Sequence, residues 1–330
     1  MIDNKKTSML LILKILEEYT DENHCLFYNQ ISELLEKKYN VFLERKAIAS
    51  SIQNLIDLDY DIEKISHRGV YLRTRTFEKS EITFLIDAIF SSKAINGNNA
   101  RKLADKVSGL LSINDRKSYK YLYKTTEVNR TNNADVFLNI EIINEAISKN
   151  KKIGFQYLTY AKNGDPITRM NGFEYIVSPY YLINNYGRYY LLCNYRSKYQ
   201  LLQNFRVDYM KNINIKEDND LKPLKSLDKT LESFTISKYL NEHIYLFGGD
   251  SVRVKLLLND SNAIGYVYDW FGSNVSIKVD KETGDIITSL VSNENALIYW
   301  LLQYGDFVKV LEPLELKEKV KEKARKILED

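Results

Sequence analysis

Apolar residues recur at helical spacing in three short runs at the start of the chain. Residues 7–19, "TSMLLILKILEEY", place them on a wide face. Residues 28–39 turn Ile31, Leu34 and Leu35 inward, and residues 44–58 do the same with Ile48, Ile52, Leu55 and Ile56. The other face of the third run shows Arg45, Lys46, Ala49, Ser50, Gln53 and Asn54. The period then changes to two. "DIEKISHRGVYLRTR" (61–75) predicts two short strands around His67-Arg68-Gly69, where Gly69 can take a positive φ. Three short helices and a hairpin predict a winged helix-turn-helix, with the third helix sized for a major groove and the wing able to touch backbone. Arg68, Arg73 and Arg75 make the wing positive, and Arg45 and Lys46 open the third helix. Residues 1–76 as a whole are not basic, with eleven Lys/Arg against twelve Asp/Glu.

A helical stripe follows in residues 78–93, formed by Ile82, Leu85, Ile86, Ile89 and Phe90. Next to a DNA reader, such a stripe suits either dimerisation or internal packing. A second helix is expected over 98–112, and the polar "NRTNNAD" (129–135) reads as a linker. Residues 137–149 predict a helix. Strands follow at about 152–160, 173–184, 187–196, 200–207 and 210–216. Five short strands behind one helix suggest a small, strongly bent barrel. From residue 251 the pattern becomes βαββαβ, the split-βαβ, ferredoxin-like order, ending in a charged helix. The expected class is α+β and multidomain. A winged helix-turn-helix spans 1–76, a helical linker or dimerisation segment 77–134, a small barrel 135–218, and a ferredoxin-like extension 230–330.

Composition narrows the partners. No apolar run reaches the ~18 residues a bilayer span needs. The N-terminal apolar segment is broken by Lys14 and reads as no signal peptide. Cys25 and Cys193 form no CxxC and read as reduced thiols, so a cytoplasmic protein without membrane association is expected. The formal net charge is +3, but residues 151–213 hold nine Lys/Arg against three Asp/Glu. That local excess points to an anionic partner. The three histidines, His24, His67 and His243, have no metal-ligand spacing, and no phosphate-cradling or nucleophile-elbow motif occurs. No cofactor, metal or enzymatic activity is expected.

Within that basic segment, "VSPYYLINNYGRYYLLCNYRSKYQLLQNFRVDYMKNI" (177–213) resembles the WYL domain of bacterial transcription regulators. Tyr189-Tyr190-Leu191 resembles the family's naming tripeptide, with tyrosine for tryptophan. Phe205, Arg206 and Asp208 match a later signature, whereas Gln203 and Tyr209 stand where the family usually has arginines. The resemblance covers nearly the whole chain. It implies an Sm-like barrel that senses a nucleic-acid or nucleotide ligand, and a homodimer that binds promoter DNA.

Strand alternation then sorts the side chains. Tyr189, Leu191, Cys193 and Tyr195 share one face; Arg188, Tyr190, Leu192, Asn194 and Arg196 share the other. One face builds the core, and the other can offer arginine to phosphate and tyrosine to a base. The expected ligand site comprises Tyr157, Ser178, Tyr190, Arg196 and Arg206. The expected DNA contacts are Arg45, Lys46, Ser50, Gln53, Arg68 and Arg73. The leading expectation is a ligand-responsive transcription regulator. An RNA- or single-strand-binding module and a nucleic-acid-processing enzyme are the alternatives.

Overall fold

Helical spacing of the apolar residues produces α1 (Asn4–Tyr19), α2 (Tyr28–Tyr39) and α3 (Arg45–Asp57). The computed structural model describes residues 4–118, 130–195, 202–227, 231, 234–272 and 275–329. It divides into two units. One holds Met1–Ala134 with Tyr186–Arg188; the other holds Asp135–Asn185 with Tyr189–Asp330. In the first unit, Ile12, Ile15, Leu16, Ile31, Leu35, Ile48, Ile52 and Leu55 close one core against the hairpin β1 (Ile62–Ile65) and β2 (Gly69–Leu72).

The hairpin is held on its outer edge as well. Leu26 exchanges two backbone hydrogen bonds with Val70, each 2.9 Å, which adds a one-residue third strand. That pairing brings the Leu26 backbone against Gly69. A Cβ at Gly69 would lie 2.3 Å from the Leu26 carbonyl oxygen, and the residue's φ is +101°. Glycine is required here for space and for conformation together.

Two arginines cap helices in this unit. Arg75 donates to the carbonyls of Leu16, Glu17 and Thr20 at the C-terminus of α1. Its place after the hairpin predicts a free wing cation; instead its guanidinium satisfies carbonyls that have no partner within the helix. The helices α4 (Lys79–Ser91), α5 (Gly97–Ser108) and α6 (Ile113–Ser118) follow. Arg130 donates to the carbonyls of Ile89, Phe90 and Ser92 at the end of α4. The α4 stripe is spent internally: Ile82, Ile86 and Phe90 are buried against Ala100 and Ala104 of α5. The surface expected to contribute to a dimer is therefore closed over by the same chain, leaving Phe84 outside at 73% exposure. Asp21 ties the two halves of the unit together, accepting hydrogen bonds from Ser112 (2.7 Å) and His24 (2.6 Å). Burial alone would raise its carboxyl, but these bonds hold it below the ordinary carboxylate range.

The second unit starts with α7 (Val136–Ser148), packed on a six-stranded sheet. Its strands are β3 (Lys151–Tyr160), β4 (Pro166–Thr168), β5 (Glu174–Asn185), β6 (Arg188–Asn194), β7 (Gln203–Arg206) and β8 (Met210–Asp220), in the order β4-β3-β5-β6-β7 with β8 also on β3. A 3-10 turn at Val207–Tyr209 carries the chain from the β7 edge back to β3, so the sheet bends sharply. Ile153, Phe155, Tyr175, Val177, Leu191, Cys193, Val207 and Met210 fill the inside of the bend with Val136, Ile143 and Ala146 of α7. The other face of β5 and β6 is buried too. Tyr180, Ile183 and Leu192 pack against Leu202, Leu227, Leu246 and Tyr239 of α8 (Ile236–Glu242).

The chain ends with β9 (Ser251–Leu258), α9 (Asn262–Phe271), β10 (Ser276–Val279), β11 (Ile286–Asn293), α10 (Glu294–Gln303), β12 (Val308–Glu312) and α11 (Leu314–Leu328). This is the βαββαβ order expected from the pattern. Its antiparallel sheet runs β10-β11-β9-β12. Val254, Leu256, Leu258, Leu290, Val308 and Val310 pack against the helices around fully buried Trp300. Among the described residues, no helix is long and apolar enough to cross a membrane.

Gly69→Ala is expected to destabilise the first unit by about 2 kcal/mol or more, since strained backbone and overpacking act together. A urea titration followed by circular dichroism reads this as a lower midpoint for the first transition.

Candidate nucleic-acid interface

Each DNA-contact candidate lies in the first unit, on α3 or the hairpin. Arg45, Lys46, Ser50 and Gln53 are all exposed along α3, and Arg68 and Arg73 are exposed on the hairpin. The guanidinium of Arg45 sits 6.0 Å from the ring centre of Tyr28 at the start of α2. Between the α2 and α3 N-termini and the hairpin runs an open groove of about 900 Å³, lined by Tyr28, Asn29, Arg45, Lys64, Ser66 and His67 among others. Two candidates already have protein partners. Gln53 donates to Asp57 and accepts from Lys64, both at 2.9 Å. Arg73 stands 3.9 Å from Glu63, which also accepts from the Tyr71 hydroxyl at 2.6 Å. Arg68 makes no ion pair among the described residues.

The ligand candidates do not converge on one open face. Arg196 lies outside the described residues. Ser178 is 2% exposed, and its hydroxyl accepts from the Lys222 backbone N–H at 2.9 Å. It fastens the exit of β8 and is no open hydroxyl. Tyr190 packs against the second core of the unit. The face expected to offer arginine and tyrosine is covered by the segment that includes α8. Leu192 and Asn194 on that face are buried, and Asn204 donates to the Tyr239 hydroxyl (2.7 Å) and the Leu246 carbonyl (3.0 Å). Alternation alone predicts which residues share a face, but not which later segment lands on it.

Tyr157 and Arg206 do come together. The Tyr157 hydroxyl accepts from the Arg206 backbone N–H at 3.1 Å, and burial pushes its pKa up to about 12. It therefore stays neutral and anchors the end of β7. Arg206 donates from Nε (3.1 Å) and one terminal nitrogen (2.7 Å) to Asp208, which is itself 3% exposed. The guanidinium carbon lies 4.0 Å from the ring centre of Tyr209. Tyr209 in turn meets Tyr160 edge to face at 6.1 Å, and Tyr160 is 59% exposed. A buried carboxylate, a half-buried guanidinium, one ring and a second exposed ring thus form a line running outward. Tyr209, in a position where arginine was expected, lends its π face to Arg206.

Beside this line is an aromatic cluster that the apolar pattern does not single out. Tyr157, Tyr175, Tyr195 and Phe205 pack with Phe155 and Phe173, with ring centres 5.2–6.4 Å apart. The signal was available in the alternation of Phe155 with Tyr157 and of Phe173 with Tyr175.

Comparison with known proteins places domains on this geometry. Residues 139–215 match the WYL domain model, and residues 250–328 match the WCX domain model. The chain therefore carries a WYL domain, formed by α7 and the bent sheet, followed by a WCX domain on the βαββαβ segment. Among solved structures it is similar to proteasome accessory factor B/C (PafBC) of Arthrobacter aurescens, at 16% identity and a TM-score of 0.30, over 96% of this chain and 47% of that one. It thus spans about half the length of that relative. It is also similar to a CRISPR Cas-related protein, at 15% identity and a TM-score of 0.35, over 96% of this chain and 82% of that one. No curated protein matches the sequence.

Tyr157→Phe removes the hydroxyl that accepts from the Arg206 N–H among the described residues. It is expected to cost about 1–2 kcal/mol and to speed exchange of that amide selectively. Native-state hydrogen exchange by NMR resolves the Arg206 amide from its neighbours and checks this.

Proposed function

We propose that the chain is a DNA-binding transcription regulator whose WYL domain responds to a nucleic-acid or nucleotide ligand. In this reading α1–α3 and the β1–β2 hairpin form a winged helix-turn-helix, α7 and the bent sheet an Sm-like barrel, and the C-terminal segment a ferredoxin-like extension. The observation that carries it is the arrangement of α3. Arg45, Lys46, Ser50 and Gln53 stand exposed on one helix, beside a groove that the hairpin borders. A helix with its N-terminal side chains free and a hairpin at its flank suits major-groove reading with backbone contact by the wing. No residue is assigned a catalytic role.

The WYL ligand would approach the outward line of Arg206, Tyr209 and Tyr160. Because Asp208 offsets the Arg206 charge, the exposed Tyr160 ring and the part-buried Tyr209 ring contribute contact area while the guanidinium keeps one terminal nitrogen free of Asp208. Such a site suits stacking with a single charge-assisted contact better than a dense phosphate grip.

DNase footprinting on the protein's own upstream region tests the reading. Arg45→Ala is expected to cost ~1–3 kcal/mol at one base position, whereas Arg68→Ala weakens all sequences alike and lowers the salt slope by about one unit. Absence of any protected region, with the protein folded, overturns the assignment of α3.

The reading includes a homodimer, because one winged helix reads few base pairs and a two-fold pair reads a near-palindrome. Phe84 is the exposed ring on α4, while Ile86 faces α5. Phe84→Asp is expected to leave the melting temperature within ~2 °C and to convert a sedimenting dimer to monomer. A monomeric wild type at tens of micromolar counts against the dimer.

A further inference from the structure

A second cleft opens in the first unit, and it shares no lining residue with the groove beside α3. It holds about 340 Å³, at the lower end of the range that takes small organic ligands. Its apolar surface comes from Tyr39, Tyr60, Leu72, Phe77 and Leu110. Tyr60, Phe77 and Leu110 are left exposed although each is large and apolar.

The charged lining is Lys14, Glu17 and Glu18 of α1, Arg75 after β2, and Arg116 of α6. Glu18 is already paired with Lys38. The two arginines are positioned by carbonyls. Arg75 spends its terminal nitrogens on the end of α1, including the Glu17 carbonyl at 2.7 Å, and keeps its Nε uncommitted. Arg116 donates to the carbonyls of Leu111 (3.2 Å) and Gly109 (2.8 Å), which leaves one terminal nitrogen over. Among the described residues neither arginine makes an ion pair, and neither does Lys14. A guanidinium fixed by carbonyls is preorganised yet keeps a charge that a carboxylate partner would cancel.

The opposing charges are few. Burial holds Arg75 below its ordinary pKa, against the pull of Glu17, Asp115 and Asp21. Asp115 is paired with Lys79, and Asp21 accepts from Ser112 and His24. Glu17 is exposed and makes no ion pair among the described residues. The end of α1 adds about half a negative charge. The three cations therefore exceed the local negative charge by roughly one to two units, which one carboxylate balances.

We propose that this cleft binds a small monocarboxylate carried on an aromatic ring. The carboxylate meets Lys14 and the free nitrogen of Arg116, and the ring lies against Tyr60, Phe77 and Leu110. The site joins α1 and the chain leaving the hairpin to the α5–α6 turn, so a bound acid also ties these elements together.

The test follows backbone amide shifts in TROSY spectra of the full-length, 15N-labelled protein during titration with phenylacetate. Phenylacetamide, acetate and inorganic phosphate serve as the comparison probes. Phenylacetate is expected to give saturable shifts at Arg75, Thr76 and Leu110, with a Kd of about 1 mM or tighter. Phenylacetamide lacks the charge and acetate lacks the ring, so each should bind at least tenfold more weakly. Lys14→Glu should weaken phenylacetate about fivefold, whereas Glu17→Lys, one turn away on the same helix, should tighten it about twofold or more. Both residues are exposed, and unchanged shifts elsewhere report that the fold is kept. Lys102→Glu on α5, outside the cleft lining, should change the affinity less than twofold. The proposal is overturned if the cleft amides show no saturable shift, or if the amide, acetate or phosphate binds as tightly as phenylacetate. It is also overturned if Lys14→Glu and Glu17→Lys fail to act in opposite directions, or if Lys102→Glu weakens binding as much as Lys14→Glu. The titration contains no DNA, so its failure leaves the α3 reading standing, and absence of a footprint leaves the cleft standing.

Discussion

The β5–β6 hairpin is buried from both sides, and the second unit is organised around that constraint. Leu191 and Cys193 face α7 and the inside of the bend, while Leu192, one position away, is equally buried against the segment containing α8. A strand with apolar residues on both faces is held in register from both faces, because a one-residue slip would misplace two cores at once. The same burial raises the Cys193 thiol well above its ordinary range, which makes it a packing residue and no nucleophile. Burial on the second face also fastens the WYL sheet to the segment that leads into the WCX domain. Asn204 of β7 donates to Tyr239 and Leu246 of that segment, so the edge strand is bound to it directly.

Arginine serves different purposes at different positions, and its surroundings decide which. Arg75 and Arg130 close helix C-termini, where the aligned carbonyls attract a cation and need donors. Arg206 is fixed by a buried carboxylate and a ring. Arg45, Arg68 and Arg253 remain exposed. A net charge of +3 describes none of this, because the cations open to an anionic partner are a subset chosen by geometry.

Periodicity made the elements legible. The three N-terminal helices, the β1–β2 hairpin and the βαββαβ order all follow from apolar spacing, and the WCX match falls on the βαββαβ segment with its closing helix while the basic tyrosine-rich segment falls in the WYL match. The candidate site was less legible, for a physical reason. Strand alternation places Tyr190, Leu192 and Asn194 together, but the cover over that face comes from residues some thirty to fifty positions later. Ser178 and Tyr190 therefore look open in the pattern, and both are packed. The α4 stripe left dimerisation and internal packing open: an amphipathic helix shows that it has a partner, and only the folded chain shows that α5 is one. Tyr157 and Arg206 do share a site, although their contact joins a side-chain hydroxyl to a main-chain N–H, which no sequence pattern encodes.

The bridge from Lys64 through Gln53 to Asp57 links the β1–β2 hairpin to α3, and under the proposed DNA-reading role it sets a condition on what α3 can accept in exchange. The Gln53 amide gives one hydrogen bond and takes one, so both of its ends are satisfied before any partner arrives. The major-groove edge of adenine offers one acceptor and one donor side by side, and it can replace both bonds together. The edge of guanine offers two acceptors and would leave the amide oxygen without a donor. Under the proposed role of α3, Lys64 and Asp57 thus occupy in the unbound protein the places that an adenine edge would take.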